Sequence, residues 1–453
     1  MLDSVLAYLT QHREEHVEWL KALCRIPSVS TKLERRADIV AAAHWTRDLC
    51  AQIGLNATVH ETPGHPLVFA EWNAAENART ILVYGHIDVQ PEGKLELWDH
   101  GPFEPTVRDG WLCARGAADN KGPLLAHLRA VAAWLATHGR LPINIKFLIE
   151  AEEEISSPNL AAFVRQQRNL LRCDDVVISD TALYADGWPT ITRGTRGIVY
   201  KELRLSGPRQ DLHSGSFGGT VANPASVLAA FVAGLHDADG RVTIPGFYDD
   251  VQPPADDERA QLAALPFDEQ AYAQQLGVPA LWGESGYSTT ERRTVRPTLD
   301  VNGIYGGFMA EGANTIIPAQ AGAKLSMRLV PGQDAARVSA AFDACVRERI
   351  PPTVRADIIH HGMCDAYLAP SDSPAMQAAR RALVESFGRE VALLREGGSL
   401  PILPMFQQVL GADSLLIGLA SPHCNAHGPN EKVLLADLDR GAVALARLYA
   451  YLG

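Results

Sequence analysis

TILVYGHIDVQP, running from Thr80 to Pro91, decides how the chain folds. Its first six residues are apolar on both faces and too few for a helix of ordinary length. That is the pattern of a strand covered on two sides, as in a parallel sheet flanked by helices. The run ends in His86 and Asp88. INIKFLI (Ile143 to Ile149) and DVVIS (Asp175 to Ser179) read the same way. Helical patterns over 2–25, 37–53, 122–138 and 158–171 alternate with these strands. The first part of the chain is therefore expected to be α/β, with a mixed, largely parallel sheet and helices on both faces.

Further along, the rhythm changes. IVYKELRLSG (198–207) reads as a strand, NPASVLAAFVAGLH (223–236) as a helix, and TLDVNGIYGG (298–307) and AKLSMRLVPG (323–332) as two strands. DAARVSAAFDACVRERI (334–350) then reads as a helix and VRADIIHH (354–361) as a strand. The order βαββαβ is that of a ferredoxin-like unit. The Pro- and acid-rich stretch 237–297 interrupts it as an insertion of loops and short helices. From residue 370 onward helix, strand (SLLIGLA, 414–420) and helix return. The expected layout is one domain in two parts, 1–191 and 371–453, around an inserted domain, 192–370. Two domains also suit 453 residues, because single cores stop growing near roughly 250–300.

Composition narrows the class. With 47% apolar and 21% charged residues the chain reads as globular. A net charge of −12 and the lack of any basic run argue against a nucleic-acid partner. No apolar stretch reaches the roughly 18 residues of a membrane span, and the amino terminus reads as an amphipathic helix without a signal-peptide pattern. Seven cysteines, odd in number and without CxxC pairs, point away from a disulfide framework and toward a reducing cytoplasm.

In open α/β sheets ligands gather at the carboxyl ends of strands. Here those ends deliver His86 and Asp88, then Glu150, Glu152, Glu153 and Glu154, then Asp180, and after SLLIGLA, His423 and His427. The loop ARGAADNKGP (114–123) adds Asp119 just ahead of a helix. Alone, each is weak; an acidic run such as EAEEE is commonly a solvated helix start. Together, imidazoles and carboxylates without thiolates form the donor set of a hydrolytic zinc, manganese or cobalt site. With Asp119 shared, His86 and Asp180 complete one ion and a Glu with His427 the other, which is a two-metal arrangement. Glu153 and Glu154 are adjacent and point different ways, so one can coordinate while its neighbour handles a proton. His427 is preferred over His423 because it opens HGPNE, and Cys424 is not read as a ligand.

At these residues the chain resembles the M20 metallopeptidase family, in its carnosinase-like and Cys-Gly dipeptidase branch. The matching strings are GHIDVQP (85–91), ARGAADNKGP (114–123), EAEEEISS (150–157), ISD (178–180), LHSGSFGG (212–219), LSMRLVP (325–331), REGGSLP (395–401) and HGPNE (427–431). The resemblance implies His86, Asp119 and Asp180 as ligands of one metal and Asp119, Glu154 and His427 of the second. It implies Asp88 as the acid orienting His86, Glu153 as general base and a cis bond between Asp119 and Asn120. His213 is implied to steady the oxyanion, reaching across from the other subunit of a homodimer formed by the lid domains. Thr315 and Arg328 are implied to hold the substrate carboxylate, and Glu396, Gly398 and Ser399 to receive its amino-terminal residue. This sequence departs from the common pattern at Ala151 and Ser156, where Gly is usual, and at Asn120, where a second Asp is common.

The expected activity is hydrolysis of the peptide bond of dipeptides or similar small amides with a free carboxylate. A hydroxide bridging two divalent metals, zinc foremost with manganese or cobalt as alternatives, would attack while Glu153 moves the proton. The competing enzyme reading is an N-acyl- or N-carbamoyl-amino-acid amidohydrolase, which Glu396 argues against because it suits a free ammonium. Glu153 beside Glu154 argues against a catalytically silent scaffold.

Overall fold

A computed structural model describes residues 1–453 and divides them into two compact units. The first comprises Met1–Arg193, Ala369–Leu394 and Met405–Gly453, and the second Gly194–Leu368 with Arg395–Pro404.

The first unit is built on a mixed sheet whose strands run in the order Asn56–His60, Leu67–Trp72, Asn144–Glu150, Thr80–His86, Asp175–Ile178, Asp413–Gly418 and Thr190–Thr195. The four strands from Asn144–Glu150 to Asp413–Gly418 are mutually parallel. Their apolar runs are buried throughout, which is why they show no alternation in sequence. The helix Lys121–His138 is buried from Lys121 to Trp134 and packs against Leu435–Leu452 and Leu2–Gln11. Parallel register places His86 beside Glu150 and aligns Tyr84 with Ile178, so His86, the Glu150–Glu154 turn and Asp180 leave the sheet at one edge.

A small antiparallel sheet joins Thr106–Arg108, Trp111–Cys113 and Lys432–Leu434. Lys432 pairs with Cys113, and Ala114 donates its N–H to Glu431 O at 3.0 Å. This register lays the His427–Glu431 segment against the loop that carries Asp119.

The second unit holds an antiparallel sheet ordered Thr298–Gly306, Gln320–Leu329, Gly197–Ser206, Arg355–Cys364. Pro224–Ala233 and Ala335–Arg349 pack on it, around a core that includes Leu203, Phe231, Leu325 and Phe342. Short helices Asp256–Ala264, Glu269–Leu276 and Thr289–Thr294 occupy the expected insertion.

Three local differences from the sequence reading have physical causes. The expected helix 2–25 is broken at His12, whose ψ of 17° separates Leu2–Gln11 from Arg13–Cys24 while its ring stacks on Tyr8 at 3.9 Å. The helix expected over 158–171 runs only from Leu160 to Gln166, and the carbonyls of Leu170 and Arg172 turn instead to the Lys146 ammonium at 2.7 and 2.9 Å. Arg395–Pro404, placed by sequence in the closing part of the catalytic domain, groups with the second unit. Arg196 N donates to Glu396 O and Gly398 O at 3.2 and 3.1 Å, and Arg395 forms a bidentate pair with Glu258 at 2.7 and 2.6 Å.

None of the seven cysteines is in a disulfide, and no helix is long and apolar enough to cross a membrane.

Candidate metal centre

His86 ends its strand fully buried. Its Nδ1 lies 3.0 Å from Asp88 O and 3.4 Å from Asp88 Oδ1. Donation from Nδ1–H to that carbonyl leaves the Nε2 lone pair facing the carboxylates, 3.1 Å from Asp119 Oδ1 and 3.7 Å from Asp180 Oδ2. The Asp88 carboxylate has a second task. It accepts the backbone N–H groups of Glu153 and Glu154 at 3.3 and 3.1 Å, which pins the start of the 3₁₀ turn Glu153–Ile155.

Asp119 presents its two oxygens to two imidazoles: Oδ1 to His86, and Oδ2 to His427 Nε2 at 2.9 Å. His427 Nε2 is also 3.4 Å from Glu154 Oε2, which accepts from Gln90 Nε2 at 2.7 Å. His427 has a left-handed backbone, φ 62°, uncommon for a side chain with a Cβ. The peptide bond from Asp119 to Asn120 is cis. Asn120 Nδ2 donates to Ser179 O at 2.8 Å and to Asp180 Oδ1 at 2.9 Å. An Asp in its place would set two carboxylates against each other.

Two groups of potential ligands result, His86 with Asp119 and Asp180, and Asp119 with Glu154 and His427. In each group the donor atoms all lie within 4.8 Å of one another. His423 and Cys424 belong to neither. The electrostatics fit divalent cations. The ion pairs of Asp119, Asp180 and Glu154 are with imidazoles, and no Lys or Arg side chain neutralises the cluster. Burial raises Glu153 to about 7, with His86 opposing and Asp180, Asp119 and Asp88 adding. Burial also raises Glu154 to about 7, Asp119 adding. The hydrogen bond to Asp119 lifts His427 to about 9. For Asp119 itself burial acts upward, but His427 and His86 overcome it and hold the carboxyl below its usual range. Negative charge that can find relief only in protonated imidazoles is charge that a cation would neutralise, releasing those protons.

Glu431, the last residue of HGPNE, is fully buried, and sequence reasoning assigned it no role. Its Oε2 accepts from Arg115 Nη1 at 2.7 Å and Gly116 N at 2.9 Å, and its Oε1 from Ala118 N at 2.9 Å and Asp119 N at 3.1 Å. All four partners are donors, which favours the ionised carboxylate against the burial that pushes its pKa up. Glu431 thus holds the loop that presents Asp119. Gln90 was likewise overlooked, although it stands inside GHIDVQP.

The remaining candidates lie in the second unit. His213 and Thr315 are brought together where Leu212–His213 pairs with Ile316–Ile317 and Ser214 N donates to Thr315 O at 2.9 Å. The exposed His213 ring accepts at Nδ1 from Ser216 N at 3.2 Å. Arg328 Nη1 donates to Ser399 Oγ at 2.8 Å, and Glu396 and Gly398 flank Gly397, whose carbonyl accepts from Arg196 Nε at 2.9 Å.

Residues 82–451 match Peptidase family M20/M25/M40. The human Beta-Ala-His dipeptidase is 31% identical over 96% of this chain and 89% of its own length. The Cys-Gly metallodipeptidase of Saccharomyces cerevisiae is 28% identical over 99% of this chain and 98% of its own. Among solved structures, an M20 family metallo-carboxypeptidase from Sulfolobus solfataricus superposes with a TM-score of 0.85 at 32% identity, covering 97% of this chain and 99% of that one. The structure of human carnosine dipeptidase 1 gives 0.80 at 30%, covering 100% and 98%. The chain belongs to peptidase family M20/M25/M40, and it is a peptidase.

Proposed function

We propose that this peptidase hydrolyses dipeptides bearing a free carboxylate. The observation that carries the reading is the carboxylate of Asp119, with one oxygen turned to each of two ligand groups. His86, Asp119 and Asp180 would hold one divalent ion and Asp119, Glu154 and His427 a second, zinc in our reading, with manganese or cobalt also suited to these donors. Bound there, the ions would supply Lewis-acid chemistry, polarising the scissile carbonyl and acidifying a water.

The protein's own groups do the rest. Glu153, with its proton affinity raised to about 7, takes a proton from the attacking water and delivers it to the leaving nitrogen. Asp88 keeps Glu153 and Glu154 in place through their backbone N–H groups. Arg328 and Thr315 receive the substrate carboxylate, where a guanidinium fork is apt. The loop Glu396, Gly398 and Ser399 receives the amino end, and His213 donates to the oxyanion. The second unit, with its βαββαβ order, serves as a ferredoxin-like lid and pairs two chains into a homodimer, so that His213 acts on the partner's substrate. Seven unpaired cysteines suit a cytoplasmic setting.

Relatives named for dipeptide hydrolysis support this reading over an N-acyl- or N-carbamoyl-amino-acid amidohydrolase. Kinetics on free and N-acetylated dipeptides, with each metal supplied in turn, test it. Free dipeptides should be cleaved and blocked ones left intact. Preference for the blocked compounds would overturn the assignment.

A further inference from the structure

The second unit contains a cleft of about 400 Å³, within the size range of small-molecule sites, formed by the insertion 237–297 and the start of the strand Thr298–Gly306. Four arginines line it, Arg196, Arg292, Arg293 and Arg296, against two carboxylates, Glu284 and Asp300. Several of these groups already have hydrogen-bond partners. Arg296 is paired with Glu284 in bidentate fashion at 2.7 and 2.8 Å, and Arg241 also reaches Glu284 at 2.9 Å. Arg292 gives its Nε to Glu284 O at 2.9 Å. Arg196 gives its Nε to Gly397 O.

Arg293 and Asp300 keep most of their hydrogen-bonding capacity open. The exposed Arg293 guanidinium lies 5.1 Å from the Tyr272 ring centre, a cation–π contact that leaves its hydrogen-bonding fork open. The exposed Asp300 carboxylate accepts the Thr298 hydroxyl at 3.3 Å and acts through space on Arg196 and His236, with no ion pair formed. The same cleft is lined by apolar side chains that are unusually exposed: Leu276 is 51% exposed, Val278 40% and Trp282 70%, the Trp282 indole lying at right angles to the His236 ring with centres 5.3 Å apart. An open guanidinium, an open carboxylate and apolar side chains around one cavity match the three parts of an apolar α-amino acid.

We propose that this cleft is an effector site for a free α-amino acid with an apolar side chain, its carboxylate on Arg293, its ammonium on Asp300 and its side chain against Leu276, Val278 and Trp282. Arg196 couples the cleft to the loop proposed to take the substrate's amino end. It lines the cleft, donates Nε to Gly397 O, and donates its backbone N–H to Glu396 O and Gly398 O. Burial brings the Arg196 guanidinium down to about 10, with Arg328 acting the same way and Asp300 and Glu396 opposing, so an occupant that engages Asp300 and Arg293 changes the field at Arg196. An occupant therefore alters how firmly the Glu396 loop is held. That the occupant would be a released product rests on the dipeptidase reading; the existence of the site does not.

Calorimetry with L-phenylalanine on the metal-loaded full-length protein tests the site. Binding is expected, weakened about tenfold or more by Arg293→Ala through loss of a charge-assisted contact and weakened also by Trp282→Ala. Both side chains are exposed, so the variants should melt with the parent. Phenylpropionate, lacking the ammonium, and phenethylamine, lacking the carboxylate, should bind more weakly than phenylalanine. Binding should persist in metal-free Asp119→Ala, and phenylalanine should change KM for alanyl-glycine in the parent but not in Arg293→Ala. No binding at millimolar phenylalanine, or binding abolished by Asp119→Ala and indifferent to Arg293→Ala and Trp282→Ala, overturns the proposal. If no dipeptide is cleaved yet phenylalanine binding depends on Arg293, the site stands and the dipeptidase reading alone fails.

Discussion

Replacing Glu431 by Gln removes one charge and almost no volume, yet it should cost the protein about as much as a large core truncation. The Glu431 carboxylate is buried together with Arg115, whose side chain is 1% exposed, and it accepts four hydrogen bonds. Gln retains an oxygen for two of the donors and sets an NH₂ against the other two. It also leaves the Arg115 guanidinium without its anion. Breaking a buried pair by removing one partner costs about 3–5 kcal/mol, a large part of a typical folding stability of about 5–15 kcal/mol. Because the lost hydrogen bonds include Asp119 N, metal affinity should fall as well, by about 10–100-fold, as for groups that orient ligands. Denaturant unfolding of the metal-free protein measures the first quantity, and competition with a chromophoric chelator the second. Adding Arg115→Met to Glu431→Gln should restore part of the stability, since the stranded charge is gone. Stability within about 1 kcal/mol of the parent together with unchanged metal affinity would refute the claim that Glu431 holds the Asp119 loop.

Other outcomes follow from the same geometry. Asp119→Ala should lose both ions, whereas Asp180→Ala should keep the one held with Glu154 and His427; metal analysis after desalting reads this directly. Glu153→Gln should lower kcat about 10²–10⁴-fold with metal content intact. Arg328→Lys should raise KM for a dipeptide about tenfold and shrink its advantage over the corresponding dipeptide amide, with kcat little changed. The fourth concerns pH. His127 is buried between Tyr449 OH and Ser179 Oγ at 3.0 and 2.9 Å, and burial lowers its pKa to about 3. The unfolded chain, with a histidine pKa of about 6.5, binds more protons between these values. Stability contributed by neutral His127 is thus present above about pH 6.5 and lost as the pH falls toward 3, by about 1.4 kcal/mol per pH unit. In metal-free protein, His127→Gln should flatten the dependence of the urea midpoint on pH between 5 and 6.5; an unchanged slope would contradict it.

The candidate ligands were legible before any coordinates because parallel strands buried on both faces can release polar side chains only at their ends. In such a sheet those ends share one edge, so His86, Glu154 and Asp180 had to converge once Thr80–His86, Asn144–Glu150 and Asp175–Ile178 were recognised as neighbours in kind. The apolar runs likewise marked the strands Gly197–Ser206, Thr298–Gly306, Gln320–Leu329 and Arg355–Cys364 and the helices Pro224–Ala233 and Ala335–Arg349 of the second unit. These are local signals, carried by residues a few positions apart.

What the sequence could not supply was contact between distant segments. Glu431 and Asp119 are 312 positions apart, and only the register of Lys432 with Cys113 turns a glutamate at the end of HGPNE into the anchor of the Asp119 loop. Asp88 could be read as a partner of His86, two residues away, but not as the acceptor for Glu153 N and Glu154 N, 65 and 66 positions on. The same holds for Arg395–Pro404, whose place beside Arg196 and Glu258 is decided by hydrogen bonds spanning well over a hundred residues. Periodicity and spacing determine which chemistry a segment can offer; strand register and buried ion pairs, which depend on the whole chain, decide which groups it meets.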